Sequence, residues 1–143
     1  MSSYTDKVKE LRAQLKPNGM PAFNCAQTCV MAMAPETGLD EETLKKLAEH
    51  FGGGMKMGSV CGAYTGGLML LGLAGIDDNE SRNRFIHSMR EKHEQMMDCR
   101  DLLKANAARG GDKKTHCDRM ILDAVEILEE IIAEKKQREE NFI

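Results

Sequence analysis

Apolar residues recur along this chain at the three-to-four-residue spacing of helices, and the alternation expected of half-buried strands is nearly absent. Val8, Leu11 and Leu15 share one face of a first predicted helix, about Thr5 to Leu15, which Pro17-Asn18-Gly19 stops. A second helix begins after Asn24, carries Cys25, Cys29, Val30 and Met33, and ends at Pro35. Asp40-Glu41-Glu42-Thr43 opens a third with acidic residues at its positive dipole end; it runs to near His50 and Phe51, before Gly52-Gly53-Gly54. The fourth, about Val60 to Leu73, has no charged residue and is the most buried candidate. A strongly charged fifth spans about Asn79 to Met97 and offers Phe85, Ile86, Met89, Met96 and Met97 to the core. A short helical turn over Asp98 to Leu103 leads into the Gly110-Gly111 loop. The last helix, His116 to about Gln137, has the clearest stripe: Met120, Ile121, Ala124, Leu128, Ile131 and Ile132. The expected fold is all-α, a compact single-domain bundle of about five to six helices around a buried Gly-rich helix. It takes in residues 1–143, with a solvated tail over 134–143.

Composition narrows the setting. The chain has 143 residues, 41% hydrophobic, enough for a core without disulfide staples. Trp is absent, and 11 Met help fill the volume that aromatic residues would otherwise occupy. A net charge of −3 argues against nucleic acid as a partner. The first residues, Met1 to Lys7, are followed by no apolar signal-peptide core, and the glycine-interrupted stretch Cys61 to Gly75 is too short to span a bilayer. The expectation is a cytoplasmic protein with no membrane partner, in which thiols serve redox chemistry or metals.

Four of the five cysteines fall near predicted helix starts. Asn24-Cys25-Ala26-Gln27 reads as a capping box, Ser59 precedes Cys61 by two residues, Asp98 immediately precedes Cys99, and Thr115-His116-Cys117-Asp118 reads as a second capping box. Unpaired backbone N–H groups and the helix dipole favour a thiolate at such a place, and the thiolate is both nucleophile and metal ligand. Arg100 and His116, each next to a Cys, would add to that effect. Cys29 sits one turn into the second helix, as a small hydrophobe. Buried structural thiols are the competing reading. No CxxC occurs, so the simplest thioredoxin-like and zinc-ribbon patterns are absent.

Two glycine features suggest binding. Gly52, Gly53 and Gly54 form a loop before a helix start, where backbone N–H groups can cradle an anion, although it is neither a Walker A loop nor a Rossmann turn. Gly62 and Gly66, four residues apart on the fourth helix, leave a bare patch for another backbone or a flat ligand. Together these five glycines are the candidate cofactor-binding residues. Of the histidines, His50, His87 and His93 read as surface residues, and His116, beside Cys117, is the best candidate metal ligand. Met55, Met57, Met96 and Met97 suit a soft metal but are better read as core.

The ordered set Asn24-Cys25-Ala26-Gln27, Phe51-Gly52-Gly53-Gly54-Met55, Cys61-Gly62-Ala63-Tyr64-Thr65-Gly66, Cys99-Arg100-Asp101-Leu102-Leu103 and Cys117 resembles a bacterial family named after its cysteine pattern, C_GCAxxG_C_C. The likeness covers about residues 24–128. It implies that Cys25, Cys61, Cys99 and Cys117 are the family cysteines and that Cys29 lies outside the pattern. Val60 stands where the family name places Gly, and Gly62 follows the Cys instead. The family's redox label rests largely on its cysteines.

The functional expectation is a redox-active protein in which Cys25, Cys61, Cys99 and Cys117 converge and undergo thiol–disulfide exchange with a redox partner, with Cys61 or Cys117 attacking first. At least two of these sulfurs are expected within disulfide reach or at one site. The alternatives are the same four thiolates as ligands of an iron–sulfur cluster or other soft metal, a small-molecule binding module with structural thiols, and a helical interaction protein that forms a homodimer through its last helix.

Overall fold

The computed structural model describes residues 3–141 and consists of helices, with no strand among them. Seven α-helices follow in order: α1 Ser3–Arg12, α2 Cys25–Ala32, α3 Glu41–Leu47, α4 Gly62–Leu73, α5 Asn79–Lys92, α6 Cys99–Ala108 and α7 Lys113–Asn141. A single 3₁₀ turn, Ala34–Glu36, follows α2 at Pro35. The all-α class stands. Met1 and Ser2, at the start, and Phe142 and Ile143, the end of the expected tail, lie outside the described residues.

Local chemistry accounts for most boundaries. Asn24 and Gln27 form the reciprocal capping box of α2, with Gln27 N–H on Asn24 Oδ1 at 2.8 Å and Asn24 N–H on Gln27 Oε1 at 2.9 Å. Asp40 caps α3 through Thr43 N–H at 2.8 Å, and Asp78 caps α5 through Ser81 N–H at 2.8 Å. Where a boundary differs from expectation, the cap is elsewhere. α7 starts at Lys113 because Asp112 accepts from Thr115 N–H at 3.0 Å, so the Thr115–Asp118 capping box is not used. α6 is a full ten-residue helix rather than a short turn. α1 ends at Arg12, and Leu15 leaves the apolar face to pair with Pro21 in a tight loop where it is 53% exposed.

The centre is the α2–α4 pair. From Ala26 to Ala32 every residue of α2 is buried, and α2 packs against α1, α3, α4 and α7. In α4, Gly62, Ala63, Tyr64, Gly66, Gly67, Leu70 and Leu71 are buried. The Gly-rich helix thus shares the centre with α2, whose sequence Cys25–Ala32 is equally free of charge. The glycines carry the packing. A Cβ on Gly66 would come within 2.9 Å of the Ala26 backbone, and one on Gly62 within 3.1 Å of Cys25 Cβ. α2 therefore occupies the bare patch, another backbone rather than a flat ligand. On the opposite face Gly67 admits the Phe85 ring, which meets Tyr64 edge-on at 6.5 Å between centroids.

Candidate functional site

Each family cysteine is placed by a different local device. Cys25 is the first residue of α2, immediately after the Asn24 cap. Cys61 is itself the N-cap of α4, and Cys99 is the first residue of α6 after Asp98, whose side chain makes no capping bond. A short antiparallel bridge between Val60 and Asp98 joins these two segments, with Cys61 N–H on Met97 O at 2.8 Å and Cys99 N–H on Ser59 O at 2.7 Å. That bridge sets Cys61 opposite Met97 and Cys99 opposite Ser59, so the two cysteines lie diagonally across it, joining segments 38 residues apart in the chain. Cys117 lies on the second turn of α7, not the first.

All four line one cavity of about 650 Å³, in which Cys25 and Cys117 are each the largest influence on the other's ionisation. All five cysteines are free thiols. Cys29 is sealed in the core with its sulfur 4.0 Å from Ala63 O, and burial pushes its thiol far up. The cavity lies between the loop after α1, the starts of α2 and α4, α6 and the first turns of α7. Gly52, Gly53 and Gly62 line it, whereas Gly54 is closed against the Ser59 backbone and Gly66 lies under α2.

Electrostatics sets one sulfur apart. Cys117 is brought down to about 7 from 9.0, first by the hydrogen bond from Cys25, against the opposing effect of burial, and then by the charges of Arg12 and Lys113. Cys25 moves the other way, because it donates to Cys117, is buried and faces the sulfurs of Cys117 and Cys61. Burial pushes Cys61 up to about 12 despite the neighbouring N–H groups of Ala63 and Tyr64. Cys99 is raised by burial and by Cys117, with Lys113 opposing. Position at a helix start is therefore not the cause: the two thiols at first helical positions are raised, and the one on a second turn is lowered. The dipole acts within the first turn, and a thiol donor in contact outweighs it.

Sequence reasoning missed Arg12. This side chain is 5% exposed, with Nε on Asp118 Oδ1 at 2.6 Å and Nη1 on Phe23 O at 2.9 Å, and it faces the cysteines. The signal was present: Arg12 falls on the face marked by Thr5, Val8 and Leu11, a cation inside an apolar stripe. Arg100, expected to help Cys99, is exposed and packs its Cβ 3.0 Å from where a Gly58 Cβ would stand.

The loop before α4 departs furthest from expectation. Gly53, Gly54, Met55 and Lys56 have φ of 62°, 63°, 59° and 61°, a left-handed turn in which two members are not glycine. Such a conformation costs an L residue about 1–2 kcal/mol. Met55 and Met57 are 36% and 69% exposed, so they are not core, while Met96 and Met97 pack against it.

His50 and His87 are exposed as expected, but His93 is not. It pairs with Asp123 at 2.9 Å, each side chain 11% exposed, in a second pocket of about 390 Å³. His116 lines both pockets, and its ring is lowered by burial, then by His93 and Arg109. Among the described residues no group of three or more His, Cys, Asp or Glu is placed to hold a metal ion, so the ligand-set alternative finds no support in the geometry. No described helix is long and apolar enough to cross a membrane.

Comparison with known proteins places this cavity in context. The family model described as "Putative redox-active protein (C_GCAxxG_C_C)" matches residues 23–131, which include all four cavity cysteines. No curated protein and no solved structure matches the chain.

Proposed function

Because the chain belongs to the C_GCAxxG_C_C family, we propose that it performs thiol–disulfide exchange with Cys117 as the attacking thiolate and Cys25 as its proton donor and resolving thiol. The observation that carries this reading is that the fold gathers Cys25, Cys61, Cys99 and Cys117 on one cavity, and within it Cys117 is brought down to about 7 beside a Cys25 that is raised. A thiol is most effective in exchange when its pKa lies near the ambient pH.

In the step so defined, the Cys117 thiolate attacks one sulfur of a disulfide, forming a mixed disulfide and expelling a thiolate. The leaving thiolate takes the Cys25 proton. Cys25, now ionised, attacks Cys117 Sγ and expels the second thiolate, leaving a Cys25–Cys117 disulfide. Two electrons pass from the protein dithiol to the substrate disulfide. Cys61 and Cys99, which line the same cavity and are both raised above the ordinary thiol value, are the further thiols to which oxidation can pass by the same exchange.

Differential alkylation with mass mapping tests the assignment. At pH 7 under reducing conditions, Cys117 should be modified ahead of Cys25, Cys61, Cys99 and Cys29. Mild oxidation should then join Cys25 to Cys117 first. If Cys117 ionises no more readily than a free thiol, or oxidation leaves both thiols free, the reading is wrong.

A further inference from the structure

The cavity around the sulfurs is charged opposite to the molecule. The chain carries a net −3, yet Arg12, Lys16, Lys56, Lys113 and Lys114 line the cavity with a single carboxylate, Glu49. Asp118 pairs with two of these cations, Arg12 at 2.6 Å and Lys114 at 2.9 Å. No ion pair among the described residues uses Lys16, Lys56 or Lys113. Three cations thus face the same space without a protein anion. Glu49, for its part, accepts from Gln27 Nε2.

Lys56 adds a second, independent mark. It stands at φ 61° in the left-handed turn, a conformation that Gly would adopt freely and Lys does not. Strain of this kind concentrates at functional sites, and here it holds a lysine at the cavity wall. The lining also has an apolar part, Met20, Pro21, Phe23, Leu103 and Met120. The volume, about 650 Å³, suits a small molecule of peptide size, within the roughly 300–1,000 Å³ of ordinary ligand pockets.

We infer that the substrate is a low-molecular-weight disulfide carrying carboxylates, held by Lys16, Lys56 and Lys113 while its sulfurs reach Cys117. This inference rests on the exchange reading above and adds to it the chemical class of the oxidant. The reaction consumes one anionic disulfide and releases two anionic thiols, one of which leaves with the Cys25 proton, as the protein dithiol becomes a disulfide.

A charge series of small disulfides separates the two claims. The reduced full-length protein is mixed with glutathione disulfide (anionic), hydroxyethyl disulfide (neutral) or cystamine (cationic). Each rate is divided by that of a neutral thiol in solution, which removes differences in leaving-group chemistry. The expected order is anionic over neutral over cationic, with the anionic advantage about tenfold to a hundredfold at low salt and shrinking as salt is added. In the double variant Lys16→Gln, Lys56→Gln the anionic-to-neutral ratio should fall toward one. Equal normalised rates across the series, with Cys25 and Cys117 still oxidised as a pair, would overturn the substrate class and leave exchange standing. No oxidation by any of the three would overturn both.

Discussion

Replacing Cys25 by Ala removes the donor that brings the Cys117 thiol down to about 7 and leaves Arg12 and Lys113 to act against burial. In the limit where Cys117 returns to 9.0, its thiolate fraction at pH 7 falls from about one half to about one hundredth, roughly fiftyfold. Reactivity falls by less. A thiolate freed from its donor is the stronger nucleophile, and a Brønsted slope of about 0.4–0.5 makes it about six to ten times faster per ion. The net loss at pH 7 is therefore about five- to eightfold, and above pH 9 the variant should overtake the unaltered protein by about six- to tenfold. That crossing is diagnostic, since a change in access to the sulfur would move the rate in one direction at every pH. Exchange with the neutral reagent dithiodipyridine, read at the Cys117 peptide between pH 5 and 10, measures both limbs. A variant whose profile still turns over near 7 would show that Cys25 does not set the ionisation of Cys117.

Four further outcomes follow from the packing and the charges. Gly66→Ala, whose Cβ would meet the Ala26 backbone at 2.9 Å, should lower stability by about 1–3 kcal/mol in urea. By contrast Gly72→Ala, with nothing within 4 Å, should raise it by about 0.5–1 kcal/mol. Lys56→Gly should raise thermal stability, because Gly relieves the turn at φ 61° by about 1 kcal/mol, while slowing reaction with an anionic disulfide; calorimetry and the charge series read the two effects separately. Finally, the reduced protein should gain stability as pH rises from about 7 to about 8, where folded Cys117 has released a proton that the unfolded chain still holds. As pH approaches 9.0 and beyond it should lose stability, because Cys25, Cys29, Cys61 and Cys99 keep protons when folded that they release when unfolded. Urea midpoints followed by circular dichroism at a series of pH values would test this, and a steady fall from pH 7 upward would contradict it.

The fold was largely legible because its helices obey local rules. The Asn24–Gln27 capping box, the Asp40 cap and the stripe from Met120 to Ile132 need no knowledge of the rest of the chain. What was not legible depends on competition or on distance. Asp112 and Thr115 both offer a plausible start for α7, and only the backbone decides that Asp112 takes the role, moving Cys117 to the second turn. The left-handed turn at Met55 and Lys56 contradicts the preference of both residues, so no propensity argument reaches it. Family resemblance and cysteine order singled out the four thiols, but which one is lowered depends on contacts between α2 and α7 that periodicity does not encode.

The glycines expected to bind a ligand are better understood as spacers for sulfur. With Gly at 62 and 66, α4 approaches α2 until its backbone meets Ala26, and Cys25 Cβ lies 3.1 Å from where a Gly62 Cβ would stand. Cys61 is one residue before Gly62, so the same close approach sets how near Cys25 and Cys61 come to each other. Gly54 and Ser59 close the preceding turn through Ser59 N–H on Gly54 O at 3.0 Å, and Ser59 O in turn receives Cys99 N–H at 2.7 Å. Apart from that to Cys25 Cβ, these contacts are backbone to backbone, where a shift of half an ångström cannot be absorbed by a rotamer. A site that needs one thiol to hold the proton of another requires that rigidity, since a hydrogen bond weakens steeply with misalignment. The bulk missing at Gly62 and Gly66 thus lets α2 and α4 close on each other and bring Cys25 and Cys61 to the cavity that Cys117 also lines.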